Sequence, residues 1–151
     1  MRKSLLVLCV LTVLFTSAGA VSADTSQPAQ FTIEATTTAY DSRLLDNGRT
    51  AFDLTADGTA TGQFEGDLDF REWGVVDYQA VRGVNGGLIK ITASDRSRVV
   101  ISFAGQTDFV TVWGCYWVLY GTGRYAGAHG QGTYTGDAGF PSFTVVFTSG
   151  S

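Results

Sequence analysis

Residues 114–134 read GCYWVLYGTGRYAGAHGQGTY, an aromatic run that leads into a series of closely spaced glycines. This order predicts a long strand, a compact corner and a second strand that returns beside the first. Glycine suits the corner because it accepts positive φ, and it suits the strands because it lets neighbouring backbones approach closely. Arg124, Tyr125 and Ala126 are expected to form one helical turn in the corner. The segment therefore predicts a pair of adjacent antiparallel strands.

Alternation of apolar and polar residues predicts strands in the rest of the chain as well. Outside residues 1–23, no window longer than a turn keeps the apolar spacing of an amphipathic helix. The strand-like segments are residues 31–36, 64–70, 88–92, 99–103 and 143–148. The chain is therefore predicted to be all-β.

Three dipeptides typical of tight hairpins lie between strand-like segments: Asn47-Gly48, Asp57-Gly58 and Asn85-Gly86. They predict a meander of adjacent antiparallel strands, and counting the strand-like runs gives eight or nine strands. A sheet of this length, with few polar residues to protect its edges, closes most naturally into a barrel. We expect a closed antiparallel β-barrel, with a two-sheet sandwich as the alternative.

The first 23 residues have the order of a secretory signal peptide: Arg2 and Lys3, an apolar run, then small residues ending at Ala23. The apolar run spans about eleven residues and is shorter than the ~20 needed to cross a bilayer. We expect cleavage after Ala23, a secreted or periplasmic location and no membrane insertion. A flexible leader is expected at residues 24–29 and a single barrel domain at residues 30–151.

Charge limits the classes of partner that this chain is expected to bind. Removal of residues 1–23 leaves eight basic and fourteen acidic residues, a formal net charge of −6. Nucleic acids and anionic membranes both favour basic surfaces, so neither is an expected partner.

The pattern of a strand, Gly-Thr-Gly-x-aromatic-x-Gly-Ala-x-Gly and a second strand, carried by residues 114–134, resembles the allene oxide cyclase and dirigent-protein barrels. It is most similar to their secreted bacterial relatives. The resemblance implies an eight-stranded barrel with an apolar cavity, assembled as a homodimer or homotrimer. It also implies that hydrophobic small molecules are bound and shaped without a metal or organic cofactor.

The aromatic residues of segment 113–125 predict either a ligand cavity or an interface, since tyrosine and tryptophan combine apolar area with a polar group. Alternation places Trp113 and Trp117 on one strand face and Tyr116 on the other, and one face must point into the barrel. Aromatic side chains are expected to form the cavity wall, and two basic groups are expected to orient a polar group at its rim. The residues predicted to contact a ligand are Trp113, Tyr116, Trp117, Arg124, Tyr125 and His129.

Catalytic candidates are few because His129 is the only histidine. His129 or a buried carboxylate such as Glu34 is expected to transfer protons if the protein is an enzyme. The acidic stretch at residues 65–69 is expected to be a solvated exterior, and no metal site is predicted. The leading hypothesis is a barrel that binds a small hydrophobic ligand. The alternatives are a cofactor-free cyclase or isomerase and a structural module for extracellular protein interactions.

Overall fold

The computed structural model describes residues 30–150, which form one closed barrel of eight antiparallel strands in sequence order. The first and last strands pair with each other, so the sheet has no free edge. The strands are β1 (Gln30–Leu44), β2 (Thr50–Gly62), β3 (Gly66–Asp77), β4 (Arg82–Thr92), β5 (Arg98–Thr107), β6 (Thr111–Gly121), β7 (Gly130–Asp137) and β8 (Ser142–Ser149). The predicted closed antiparallel barrel is confirmed.

Two further predictions concern the corner between β6 and β7 and the N-terminal segment. The predicted helical turn is present as a short 3-10 helix at Gly123–Tyr125, between β6 and β7. The predicted signal peptide and leader lie outside the described residues. Within residues 30–150, no helix has the length and hydropathy of a membrane-spanning segment.

Strand alternation on β3 separates a buried inner face from a polar outer face, as the sequence pattern predicts. On β3, Leu68 and Phe70 are buried, whereas Asp67 and Asp69 are exposed between them. Isoleucines on three strands are fully buried at the barrel centre: Ile33, Ile89, Ile91 and Ile101. The acidic stretch is therefore an exterior surface, and Lys90 pairs with Asp69 there.

Only one of the three predicted hairpin dipeptides lies in a turn. Gly48 has a φ of 78° in the β1–β2 connection, as expected. The hairpin predictions at Asp57-Gly58 and Asn85-Gly86 are wrong, because these dipeptides lie inside β2 and β4. A Cβ atom at position 58 would lie 2.0 Å from the carbonyl oxygen of Glu34. This glycine therefore allows close approach of β1 and β2 and does not form a turn.

The two ends of the barrel are packed differently. At the end that holds the β2–β3, β4–β5 and β6–β7 connections, aromatic rings fill the interior, and we call it the closed end. There Phe31 stacks on Phe147 with ring centroids 4.4 Å apart, and Phe64 meets Tyr125 edge-on at 5.5 Å. The opposite end, with the other four connections, is the open end. Packed aromatic side chains therefore fill the closed end of the barrel.

Replacing Phe31 with alanine is expected to lower the free energy of unfolding by about 3–5 kcal/mol, because it leaves a cavity in this packed aromatic group. Guanidinium unfolding followed by circular dichroism measures the loss. The matched control is Phe140→Ala at the open end, where 69% of the residue surface is exposed. There we expect a change of less than about 1 kcal/mol. Equal losses at both positions would contradict the difference in packing between the ends.

Candidate functional site

The open end of the barrel contains an apolar cavity of about 440 Å³. This volume falls in the range of ligand pockets, which is roughly 300–1,000 Å³. Ten of the twenty residues that line it are aromatic. They are Tyr40, Phe52, Phe70, Tyr78, Phe103, Phe109, Tyr134, Phe140, Phe143 and Phe147.

Three polar side chains from different strands lie in the cavity wall, and we call Glu72, Asn85 and Tyr134 the polar cluster. The amide Nδ2 of Asn85 donates a hydrogen bond of 2.6 Å to Oε1 of Glu72. The Oδ1 atom of Asn85 and the hydroxyl of Tyr134 are buried and have no hydrogen-bond partner within residues 30–150. A buried polar atom without a partner costs about 1–3 kcal/mol, so a group that pairs with either atom would gain affinity.

Strand register explains how Tyr134 reaches the cluster. Asn85 pairs with Gly105, Gly105 with Gly114, and Gly114 with Tyr134, so the four residues form one row across β4 to β7. A Cβ atom at Gly114 would lie 2.7 Å from Cε1 of Tyr134, and one at Gly105 would lie 2.2 Å from its hydroxyl. The ring therefore lies flat over two glycines, with the hydroxyl directed along the row toward Asn85.

The cavity environment favours the neutral forms of the titratable groups in the polar cluster. Burial raises the pKa of Glu72, and the hydrogen bond from Asn85 opposes part of that rise. Burial also raises the pKa of Tyr134, and the charge of Glu72 adds to the effect. The Asn85 amide is close enough to lower the Tyr134 pKa in part, although the two side chains form no hydrogen bond of normal geometry. Acid–base groups with shifted pKa values in a cleft are typical of functional sites.

The mouth of the cavity is a rim of aromatic side chains on β1 and on the loops of the open end. Phe109 stacks on Tyr78 with centroids 5.2 Å apart, and Phe140 meets Tyr40 at 6.0 Å. Phe109 has a φ of 69°, a left-handed conformation that is uncommon for a bulky residue. Its N–H donates to Oγ1 of Thr107 at 3.0 Å, which holds this conformation in place. The rim therefore places large apolar surfaces around the cavity entrance.

None of the six residues predicted to contact a ligand lines this cavity. Trp113 and Trp117 lie on the outer face of β6, where 38% of the Trp113 surface is exposed. Tyr116 points inward but belongs to the packed closed end, 5.7 Å from Phe31 and 5.4 Å from Phe147 between ring centroids. The wall of the open-end cavity is therefore made by other side chains.

Arg124 and Tyr125 form a plug at the closed end. The Tyr125 hydroxyl donates to the Glu65 carbonyl at 3.1 Å and accepts from the Glu65 N–H at 3.0 Å. Nη2 of Arg124 lies 2.9 Å from the same hydroxyl and 3.1 Å from the Glu65 carboxylate. These contacts anchor the corner between β6 and β7 to the β2–β3 connection.

The two catalytic candidates also lie away from the cavity. His129 is exposed in the closed-end corner, where its Nδ1 is 2.9 Å from the Gly127 carbonyl oxygen. Glu34 is exposed on the outer face of β1. Neither is near the polar cluster along the strands, and their catalytic roles stay predictions. Within residues 30–150, no three His, Cys, Asp or Glu side chains are grouped as a metal site.

Sequence reasoning overlooked the polar cluster, although one signal was present. Leu68, Phe70 and Glu72 share the same strand parity, so a carboxylate follows two buried side chains on an inward face. Asn85 was not identified because Asn85-Gly86 has the composition of a hairpin turn. Tyr134 was not identified because it lies after the glycine-rich corner. A charged residue at an inward position of a barrel strand was the available clue.

No protein-family profile matches the chain, and no curated protein is significantly similar to it. The open-end cavity and its polar cluster therefore stand as the candidate site on geometry alone. What they offer chemically is an apolar concavity, the carboxyl groups of Glu72 and Asp137, and two polar atoms able to pair with a ligand.

A paired tyrosine-to-phenylalanine comparison tests the polar cluster. Tyr134→Phe removes a buried hydroxyl without a partner and is expected to raise the free energy of unfolding by about 1 kcal/mol at pH 7. Folding raises the Tyr134 pKa, so ionisation of this residue leaves the stability of the wild type unchanged below pH ~10. Above that value the unfolded state releases the phenol proton more readily than the folded state, and the stability of the wild type falls. The gain in stability of Tyr134→Phe over the wild type should therefore be larger above pH ~10 than at pH 7. Urea unfolding at pH 7 and above pH ~10 measures the difference.

The control is Tyr125→Phe, which removes a hydroxyl that makes three hydrogen bonds. It is expected to lower the free energy of unfolding by about 1–3 kcal/mol. A loss of stability for Tyr134→Phe equal to that of Tyr125→Phe would show that the Tyr134 hydroxyl is already paired.

Proposed function

We propose that this protein is a secreted barrel that binds one small, largely hydrophobic molecule in the open-end cavity. The observation that carries the proposal is the open-end cavity of about 440 Å³ with aromatic walls and a small polar cluster. Burial of apolar ligand surface supplies roughly 25 cal/mol per Å², and a few polar groups then fix orientation. A barrel that needed only stability would fill this volume with side chains, as the closed end does.

Exposed aromatic residues at the mouth support entry of an apolar ligand. The exposed fractions are 61% for Tyr78, 69% for Phe140 and 46% for Tyr40. Large exposed apolar groups clustered around a concavity are typical of binding sites. A ligand that extended from the cavity would cover these rings as well as the inner wall.

The proposal includes a relationship to the allene oxide cyclase and dirigent-like barrels. It is supported by the eight-stranded antiparallel topology and by the glycine-rich corner at residues 121–130. In those barrels, as the resemblance implies, an apolar cavity shapes a hydrophobic substrate without a cofactor. Export through the signal peptide at residues 1–23 is part of the same proposal.

A cofactor-free isomerase or cyclase is the second candidate, and the raised pKa of Glu72 favours it. A carboxyl group with a raised pKa holds a proton more readily than an exposed glutamate, which suits a general acid or base. Tyr134 lies in the same cluster as a hydrogen-bond donor. In this alternative, Glu72 takes the proton-transfer role that the sequence suggested for His129 or Glu34.

An interaction module is the third alternative, supported by the outer face of β6 and its C-terminal end. Leu119 and Tyr120 are 53% and 56% exposed, and Trp113 adds to this apolar exterior. The same surface is where a homodimer or homotrimer contact would form.

Cavity binding is tested with prodan, a neutral fluorophore whose emission rises and shifts to the blue in apolar surroundings. We expect saturable binding to the native protein. Val112→Trp, which places a large side chain in the cavity wall, should weaken binding at least tenfold because it fills the site. The matched control, Val84→Trp, alters an exposed position on β4 and should change affinity less than twofold.

Equal affinity for the two variants would place the probe outside the cavity and contradict the proposal. Native mass spectrometry of the purified protein provides a second measurement. A discrete excess mass that disappears on denaturation and is absent from Val112→Trp would give the mass of the natural ligand.

A further inference from the structure

The residues that line the cavity carry only negative formal charge. Glu72 lies in the polar cluster and Asp137 at the rim, and none of the lining residues is Lys, Arg or His. The four ion pairs within residues 30–150 involve Asp53, Asp69, Asp77 and Glu65, so none neutralises Glu72. Burial of a carboxylate without a cation is costly. A ligand that supplied the positive charge would remove that cost.

The aromatic walls beside Glu72 also favour a cation. Phe70 precedes Glu72 on the same inward face of β3, and its ring lies 5.2 Å from Phe103 and 5.0 Å from Phe143. Phe103 meets Tyr134 edge-on at 5.7 Å. The negative faces of aromatic rings attract ammonium groups, by roughly 2 kcal/mol or more in desolvated sites. A cation at the polar cluster would therefore be surrounded by favourable partners.

The hydrogen-bonding pattern of the cluster matches a donor group. Oδ1 of Asn85 is only an acceptor, the Glu72 carboxylate is only an acceptor, and the Tyr134 oxygen can accept as well. A primary ammonium has three N–H donors for these three oxygens. A carboxylate ligand would repel Glu72 and leave Oδ1 of Asn85 without a donor. An alcohol has one donor and leaves the Glu72 charge unbalanced.

We propose that the cavity selects a protonated primary amine carried on an apolar body, with its ammonium group paired to Glu72 and bonded to Asn85 and Tyr134. This inference rests on the proposed function, since it names the ligand class for the same cavity. Aromatic residues hold the apolar body, and the polar cluster chooses the headgroup.

Three compounds with one body and different headgroups test the inference: 4-phenylbutylamine, 4-phenylbutan-1-ol and 4-phenylbutyrate. Their affinities are measured at pH 7.5 by displacement of prodan from the full protein. We expect the amine to bind at least tenfold more tightly than the alcohol and the carboxylate to bind most weakly. Glu72→Gln keeps the side-chain shape and should reduce amine affinity at least tenfold, while alcohol affinity changes less than threefold.

The control for general electrostatic attraction is Asp67→Asn, which removes one negative charge from the outer face of the same strand. It should change amine affinity less than twofold. Alcohol affinity equal to or above that of the amine would overturn the amine inference while cavity binding stands. Retention of the amine preference in Glu72→Gln would overturn it as well. Failure of prodan and all three compounds to bind would reject cavity binding itself.

Discussion

Packing of aromatic rings over glycines on the inner wall is the constraint on which this barrel depends. An eight-stranded barrel has an interior just wide enough for side chains, so large rings need room from their neighbours. A Cβ atom at Gly87 would lie 2.7 Å from the Phe103 ring, and one at Gly132 would lie 2.8 Å from the Tyr116 ring. Each ring therefore occupies space that a side chain on the adjacent strand would otherwise take. The barrel accommodates bulky aromatics along its wall because glycine lies opposite them.

The same constraint positions the polar cluster at the expense of stability. Gly105 and Gly114 give the Tyr134 ring its place, and the ring then carries a hydroxyl into an apolar cavity without a protein partner. Glycine within a strand weakens the strand, and a buried hydroxyl without a partner costs more. Neither feature is needed to close the barrel. Departures from good packing of this kind are expected at functional positions. In this barrel the packed closed end maintains stability.

Strand alternation was sufficient to predict the fold class, since Leu68 and Phe70 are buried and their polar neighbours exposed as the pattern requires. The site was harder to predict because it depends on register between distant strands. Asn85-Gly86 has the composition of a hairpin, and only its pairing with Gly105 shows that it lies within a sheet. The inward parity of Glu72 was readable from β3 alone. Its partners on β4 and β7 were not, because no local pattern states which strands become neighbours.

The aromatic-rich segment 113–125 lies outside the wall of the open-end cavity. Segment 113–125 supplies the outer face of β6 and the plug at the closed end, whereas the cavity wall collects single aromatic residues from several strands and loops. In the proposed function, these scattered rings would provide affinity for apolar molecules but would distinguish poorly between ligands of similar size. One methylene in a hydrophobic pocket is worth only about 1–3 kcal/mol, whereas an unpaired buried polar group discriminates more strongly. In the proposed function, selectivity would therefore arise from charge and hydrogen bonding at Glu72, Asn85 and Tyr134, more than from the shape of the cavity.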